Sequence, residues 1–191
     1  MKVLGILKSI KTVIAIAGMP GAGKAVASNT AKELDIPVFV CGDVLREEAK
    51  IRKIVATPEN FGKLMFQMRK DEGSSVMIKR LLPRIAEAKS KIIMVEGLRS
   101  IDELESLMNN FEVKLLAIHS NPKQRFQRLI DRGRGDDPKT IEEFNSRDAR
   151  ELSLGVGSVI ALADYLIMND STLEKFQQKV MNFLKNMLSK R

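Results

Sequence analysis

At 191 residues the chain is long enough for one domain with its own core, and 44% apolar with 29% charged residues excludes a disordered or bilayer-spanning polypeptide. Lone Cys41 excludes an internal disulfide framework, Cys41 and His119 make no zinc site without a run of carboxylates, and 5% aromatic residues argue against a base-stacking platform. Subtracting 24 acidic from 32 basic residues leaves +8, which favours anionic partners: phosphates, nucleic acid or a membrane surface. Chemistry then falls to arginine, lysine, carboxylates, backbone amides or a bound cation.

The opening MKVLGILKSIK is too short an apolar stretch for a signal peptide and is broken by Lys8, and no later stretch is long enough to span a bilayer. The sequence reads as cytoplasmic. Thr12–Ala17 is the first of five β-branched apolar runs, followed by Pro37–Cys41, Lys91–Val95, Val113–His119 and Asp164–Met168. Runs without polar alternation are buried on both faces, which predicts an α/β fold: a five-stranded parallel sheet with helices on each side. One domain, 1–191, is expected, with a core of about 12–41, 91–120 and 153–191, an insertion over 42–90 and a lid over 121–152.

Directly after the first run, Gly18-Met19-Pro20-Gly21-Ala22-Gly23-Lys24 fills the first seven places of the phosphate-binding GxxxxGK loop. Glycines let consecutive amides turn inward, the following helix adds positive potential at its N-terminus, and Lys24 reaches the β and γ phosphates. A plain glycine-rich turn with an exposed lysine is the alternative; the placement between a buried strand and a helix favours phosphate. The eighth place, normally a Ser or Thr whose hydroxyl holds Mg²⁺, is Ala25, and Val26 follows. Either the metal is held through water and the triphosphate, or metal-dependent turnover is weak.

Cys41-Gly42-Asp43-Val44-Leu45-Arg46 follows the second run, with Asp43 open to a helix-capping role and Arg46 to a solvated pair with a glutamate. Thr57 and Pro58 start a helix whose apolar face is Phe61, Leu64, Met65 and Met68. Glu96 ends the third run, where a Walker B carboxylate orients Mg²⁺ directly or through water; a polar strand end is the alternative. Gly97 and Arg99 come next. Asn121-Pro122 begins a helix that runs to Gly133, with Arg125, Arg128 and Arg132 on one face and Phe126, Leu129 and Ile130 opposite. Arg132-Gly133-Arg134-Gly135-Asp136-Asp137 is a flexible turn, and Pro138 starts a helix carrying Arg147 and Arg150. As surface charge, Arg147 would pair with Glu143 at i, i+4. Ser171 and Glu174 stand at capping-box spacing before an apolar face of Phe176, Val180, Phe183, Leu184 and Met187 that packs on the sheet. His119 reads as a strand-end residue.

Together, GMPGAGK, CGDVLR and VEGLRS resemble the adenylate kinase family of nucleoside monophosphate kinases, in which TGDxLR and DGxPR segments each give an arginine to the acceptor phosphate. The resemblance implies acceptor contacts from Gly42, Asp43, Arg46, Gly97 and Arg99. It also implies a short lid without zinc, carrying an RxDD element, from which Arg128, Arg132 and Arg134 bridge donor and acceptor. The family usually has Asp where Glu96 stands. DARELSLGVG, ALADY and NDSTLE extend the likeness: beyond the first eleven residues the chain resembles an archaeal family of adenylate-kinase-related P-loop proteins. ADYLIMND is also similar to the C-terminal strand and loop of dephospho-coenzyme A kinases, where Asn169 would lie near the donor adenine; a turn residue before a helix cap is the alternative.

These resemblances imply an enzyme that binds ATP with Mg²⁺ and transfers the γ-phosphoryl group to a nucleoside monophosphate, AMP being favoured. A kinase for dephospho-coenzyme A or another small phosphorylated acceptor is one alternative. An ATPase switch with an RNA or protein partner is another. A monomer or small homo-oligomer is expected.

Overall fold

The computed structural model describes residues 11–189; the opening MKVLGILKSI, read above as no signal peptide, lies outside them. Among the described residues five strands form one parallel sheet: β1 (Thr12–Ala17), β2 (Val38–Val40), β3 (Ile92–Leu98), β4 (Glu112–His119) and β5 (Tyr165–Met168). Every pairing is parallel, as the unbroken apolar runs predicted, and the strand order is β2-β3-β1-β4-β5. Chain order reverses around β1, so a crevice opens past the carboxyl ends of β1, β3 and β4.

Both sheet faces are buried because alternate residues point to opposite sides. Val13, Ala15, Ala17, Ile93 and Val95 join one core with α2 (Cys41–Ile51), α3 (Pro58–Glu72), α4 (Val76–Glu87), α5 (Ile101–Met108) and α8 (Val156–Ala161). Ile14, Ile16, Met94, Leu116 and Ile118 join the other with α1 (Lys24–Glu33) and α9 (Leu173–Ser189). The apolar faces read from sequence are found here: Leu64, Met65 and Met68 of α3 in the first, Phe176, Val180 and Leu184 of α9 in the second. The remaining two helices, α6 (Pro122–Arg132) and α7 (Ile141–Ser153), arch over the carboxyl edge where the lid was expected.

Several boundaries differ from the sequence reading. The second strand stops at Val40, because β2 pairs only with Met94–Glu96 of β3, and Cys41 turns into α2 with its side chain buried. The third strand continues past Val95 to Leu98: Gly97, at φ 98°, absorbs a register shift that pairs Ile16 with Glu96 and Ala17 with Leu98. Asp43 is not a cap; it is the third residue of α2, whose N-cap is Val40, and it pairs with Arg46 at 2.6 Å. Pro138 sits in the lid loop, and α7 begins at Ile141 behind Thr140, which accepts from the Glu143 amide at 3.2 Å. Thr172 rather than Ser171 caps α9, accepting from the Lys175 amide at 3.4 Å. Thr57 and Asn121 cap α3 and α6 as expected.

Candidate active site

The loop after β1 is shaped by close approaches that leave no room for side chains. A Cβ on Gly23, at φ 112°, would stand 2.4 Å from Asn169 Nδ2 and 2.9 Å from the Phe176 ring. On Gly21, at φ 77°, it would meet the Arg125 carbonyl at 2.6 Å. Gly23 is the N-cap of α1 and offers no side-chain acceptor; the Val26 amide bonds the Gly23 carbonyl at 3.0 Å, and the Lys24 and Ala25 amides lie at the helix N-terminus beside the cleft. Met19, Pro20 and Ala22 are buried beneath, with the Ala22 amide bonded to the Met19 carbonyl at 3.1 Å. Ala25 and Val26 line the cleft wall.

Lys24 folds back so that Nζ donates to the carbonyls of Gly18 (2.6 Å) and Met19 (3.1 Å). Burial lowers its pKa to about 8, against the opposing pull of Glu96 and Glu151; Arg99 and Arg147 push the same way as burial. All four partners act on Lys24, so the two ends of the site share one electrostatic neighbourhood.

Glu96 sits on β3 beside Val40 and Ile16, half-buried, and accepts a 2.5 Å hydrogen bond from Ser28 Oγ. Ser28 is buried one turn along α1 from Ala25 and lines the same cleft. The hydroxyl missing at position 25 is thus present on the same helix face three residues later, where it meets a carboxylate one methylene longer than aspartate.

The arginines divide into groups. Arg125 turns out buried rather than part of a charged face: it grips both oxygens of Asp148 on α7 (2.9 and 2.5 Å), lies 4.9 Å from the Phe144 ring centroid and donates to the Pro20 carbonyl at 3.1 Å. Arg128 reaches Ser120 Oγ (2.8 Å) and both oxygens of Asn169 (3.2 Å each), and has no carboxylate partner among the described residues. Its positive charge is therefore uncompensated beside the Gly21 carbonyl, 3.5 Å away. Arg132 is held bidentately by Asp137, which is buried, accepts from the Arg134 amide at 3.0 Å and also pairs with Arg147 at 3.1 Å. Arg147 pairs with Asp136 as well, and not with Glu143, whose carboxylate takes the Lys139 amide at 2.6 Å. The loop between α6 and α7 lies against the segment before α3: a Cβ at Gly135 would be 3.3 Å from the Ala56 carbonyl.

At the other end of the cleft Arg99 pairs with buried Glu151 of α7 at 2.7 Å, the contact that most raises its pKa. Arg46 stands at the cleft wall with Gly42 and Gly97, 42% exposed and, among the described residues, tied only to Asp43. One cavity of about 430 Å³ connects these elements. Its charged lining is Lys24, Lys32 and six arginines against Asp43, Glu96, Asp136 and Glu151, an excess suited to polyanions.

Residues 17–145 match a family model described as AAA domain. A UPF0200 protein of Hyperthermus butylicus is 43% identical over 174 residues, covering 91% of this chain and 94% of that protein. One from Pyrococcus abyssi is 42% identical over 181 residues, covering 92% and 97%. The chain belongs to the UPF0200 family. Among solved structures it resembles TT1252 from Thermus thermophilus, with TM-score 0.66, 14% identity and coverage of 93% of this chain and 98% of that one. It also resembles shikimate kinase from Bacteroides thetaiotaomicron, with TM-score 0.60, 19% identity and coverage of 94% and 98%. These likenesses establish the P-loop kinase fold. Its glycine loop and this fold make the chain a kinase-like nucleotide-binding protein; no described helix is long and apolar enough to cross a membrane.

Sequence reasoning missed Ser28, Glu151 and the buried role of Arg125, since each is defined by a partner far away in the chain; Asp137, read only as part of a turn, clasps Arg132 five residues before it. Asn169, considered for a base contact, instead spends Nδ2 on the Ala22 carbonyl at 2.9 Å and Oδ1 on Arg128. The asparagine braces the phosphate loop against the end of β5. The described residues contain no cluster of three or more metal-ligating side chains, so a divalent ion here suits the Mg²⁺ pattern of one carboxylate, several waters and substrate phosphates. Glu96, with Ser28 fixing its orientation, fits that pattern.

Proposed function

We propose that this protein transfers the γ-phosphoryl group of ATP to a small phosphorylated acceptor, a nucleoside monophosphate being the class that the CGDVLR and VEGLRS segments favour and AMP its first member to assay. The observation that carries the reading is the shared cavity: the phosphate loop with Lys24 forms one end, Arg99 and Arg147 the other, and each end lies within electrostatic reach of the other. Phosphoryl transfer asks the protein mainly to align two anions and neutralise them, which guanidinium groups do by bidentate contact.

In this reading the amides of Gly21, Gly23, Lys24 and Ala25 hold the donor phosphates, and Lys24 exchanges its two loop carbonyls for phosphate oxygens. Arg128 supplies charge on the donor side. Arg99 keeps Nε on Glu151 and turns its remaining donors to the acceptor, with Arg46 at the cleft wall. Arg132 and Arg134 come from the lid, and Asp137 sets their approach. Glu96 and Ser28 would hold Mg²⁺ through water; bound there, the ion would neutralise phosphate charge. The lid loop resting on the insertion keeps water from competing with the acceptor.

The test is a screen of acceptors, AMP and dephospho-coenzyme A included, with ATP labelled in the γ position. Label appearing in an acceptor, with ATP consumption rising on its addition, bears out the reading. Slow ATP loss that no acceptor accelerates, together with salt-sensitive RNA binding, would overturn it in favour of a nucleotide-driven switch. Acceptors other than AMP gain support from a side chamber next to Arg99.

A further inference from the structure

Past Arg99 and Arg147 the cavity adjoins a chamber of about 40 Å³ between α3 and α7, walled by Phe61, Gly62, Met65 and Arg150 and lined also by the carboxylates of Asp136 and Glu151. At roughly 10–15 Å³ per water this holds about three waters, the size of a carboxylate or phosphate group and less than a purine. The two guanidiniums it shares with the main cavity are paired, Arg99 with Glu151 and Arg147 with Asp136 and Asp137. Arg150 is different. It is half-buried, yet no carboxylate lies within ion-pair range and no acceptor within hydrogen-bond range of its guanidinium among the described residues. Burial works against its charge, and so do Arg147 and Arg99, with only Glu151 opposing them.

The α3 side of the chamber is shaped for this arginine. Gly62 is buried in mid-helix, where glycine costs about 1 kcal/mol relative to alanine. A Cβ there would stand 3.2 Å from Arg150 Nη1. The bare backbone lets the guanidinium lie against the helix. A guanidinium set beside two others, with no carboxylate paired to it directly, gains when an anion arrives.

We propose that Arg150 and this chamber bind a second anionic group of the acceptor, so that the acceptor is a small molecule with a phosphate for Arg99 and Arg147 and a carboxylate or second phosphate for Arg150. Calling that molecule the acceptor rests on the phosphotransfer reading; the anion site itself does not. AMP offers Arg150 an uncharged base and fills the site incompletely.

The experiment is calorimetric binding to the full chain saturated with ADP, so that the phosphate loop is occupied. Two matched pairs serve as probes: 3-phosphoglycerate against glycerol 3-phosphate, and 6-phosphogluconate against glucitol 6-phosphate. Within each pair a carboxylate replaces a hydroxymethyl group. The carboxylate-bearing member of at least one pair is expected to bind tenfold or more tightly, a preference that collapses towards onefold in Arg150→Gln. Gly62→Val, which fills the chamber while keeping the charge, should also abolish it. ADP titration and thermal melting of each variant check donor binding and folding. Equal affinity within both pairs, no measurable binding of any probe, or a preference that survives Arg150→Gln overturns the proposal. Failure of the two readings is separable: label transfer to AMP with no carboxylate preference removes the chamber and keeps the kinase, whereas preference without transfer to any acceptor does the reverse.

Discussion

Nucleotide binding should draw a proton onto Lys24 in alkaline solution. Burial holds the free-protein pKa at about 8, and phosphate oxygens placed against Nζ favour the ammonium form, so the complex keeps the proton where the free protein has lost it. With a free pKa of about 8, ADP binding takes up roughly 0.1 proton at pH 7, about half a proton at pH 8 and about 0.9 at pH 9. Apparent affinity falls about twofold at pH 8 and about tenfold at pH 9 relative to neutral solution. Calorimetry in buffers of different ionisation enthalpy reads the uptake directly, and Lys24→Met should abolish it. The same residue gives the free protein a pH-dependent stability of known sign. Because the folded pKa is depressed, the unfolded chain holds more protons between about pH 8 and 10.5, so Lys24 contributes stability above that window and loses it as pH falls through about 8. The change is of order 3 kcal/mol at 1.36 kcal/mol per pH unit, seen as the difference between the wild-type and Lys24→Met melting profiles. Absence of proton uptake at pH 9, or equal uptake in Lys24→Met, would refute the placement of this lysine against phosphate.

Ser28→Ala should raise the Mg²⁺ concentration needed for tight ADP binding by about tenfold, since a hydrogen bond to a carboxylate contributes about 1.5 kcal/mol; Mn²⁺ resonance in the presence of ADP reads this without turnover, and an unchanged titration removes Ser28 from the site. Arg125→Ala leaves Asp148 without its bidentate partner and should cost about 3 kcal/mol in denaturant unfolding. Arg125→Lys should recover little of that loss, because an ammonium cannot span both carboxylate oxygens and the Pro20 carbonyl. Arg132→Ala and Lys24→Ala should each lower phosphoryl transfer roughly 10²-fold or more. Near-normal turnover in both variants would dismiss these two roles.

How far the sequence could be read follows from how local each signal is. The cap at Asn121, the stop at Gly133 and the phosphate loop are written within a few residues, and each lies where expected. The boundary of β3 was missed because its last three residues depend on Gly97 and on pairing with β1, not on apolarity. The arginines of α6 look alike in the chain, at i, i+3 and i+7. One of them is buried on Asp148, one faces neutral oxygens at the end of β5, and one is clasped by Asp137. Periodicity fixes the face of a helix, and says nothing of what arrives against it.

Local signals therefore determined the strand-loop-helix after the first strand and the parallel sheet. Partners distant in sequence decided the rest: Ser28 against Glu96, Glu151 against Arg99, and an Arg150 with no carboxylate paired to it among the described residues. Whether a charged side chain braces the fold or waits for a ligand depends on the groups that folding brings within a few ångströms of it, and the chain order of the residues does not encode that list.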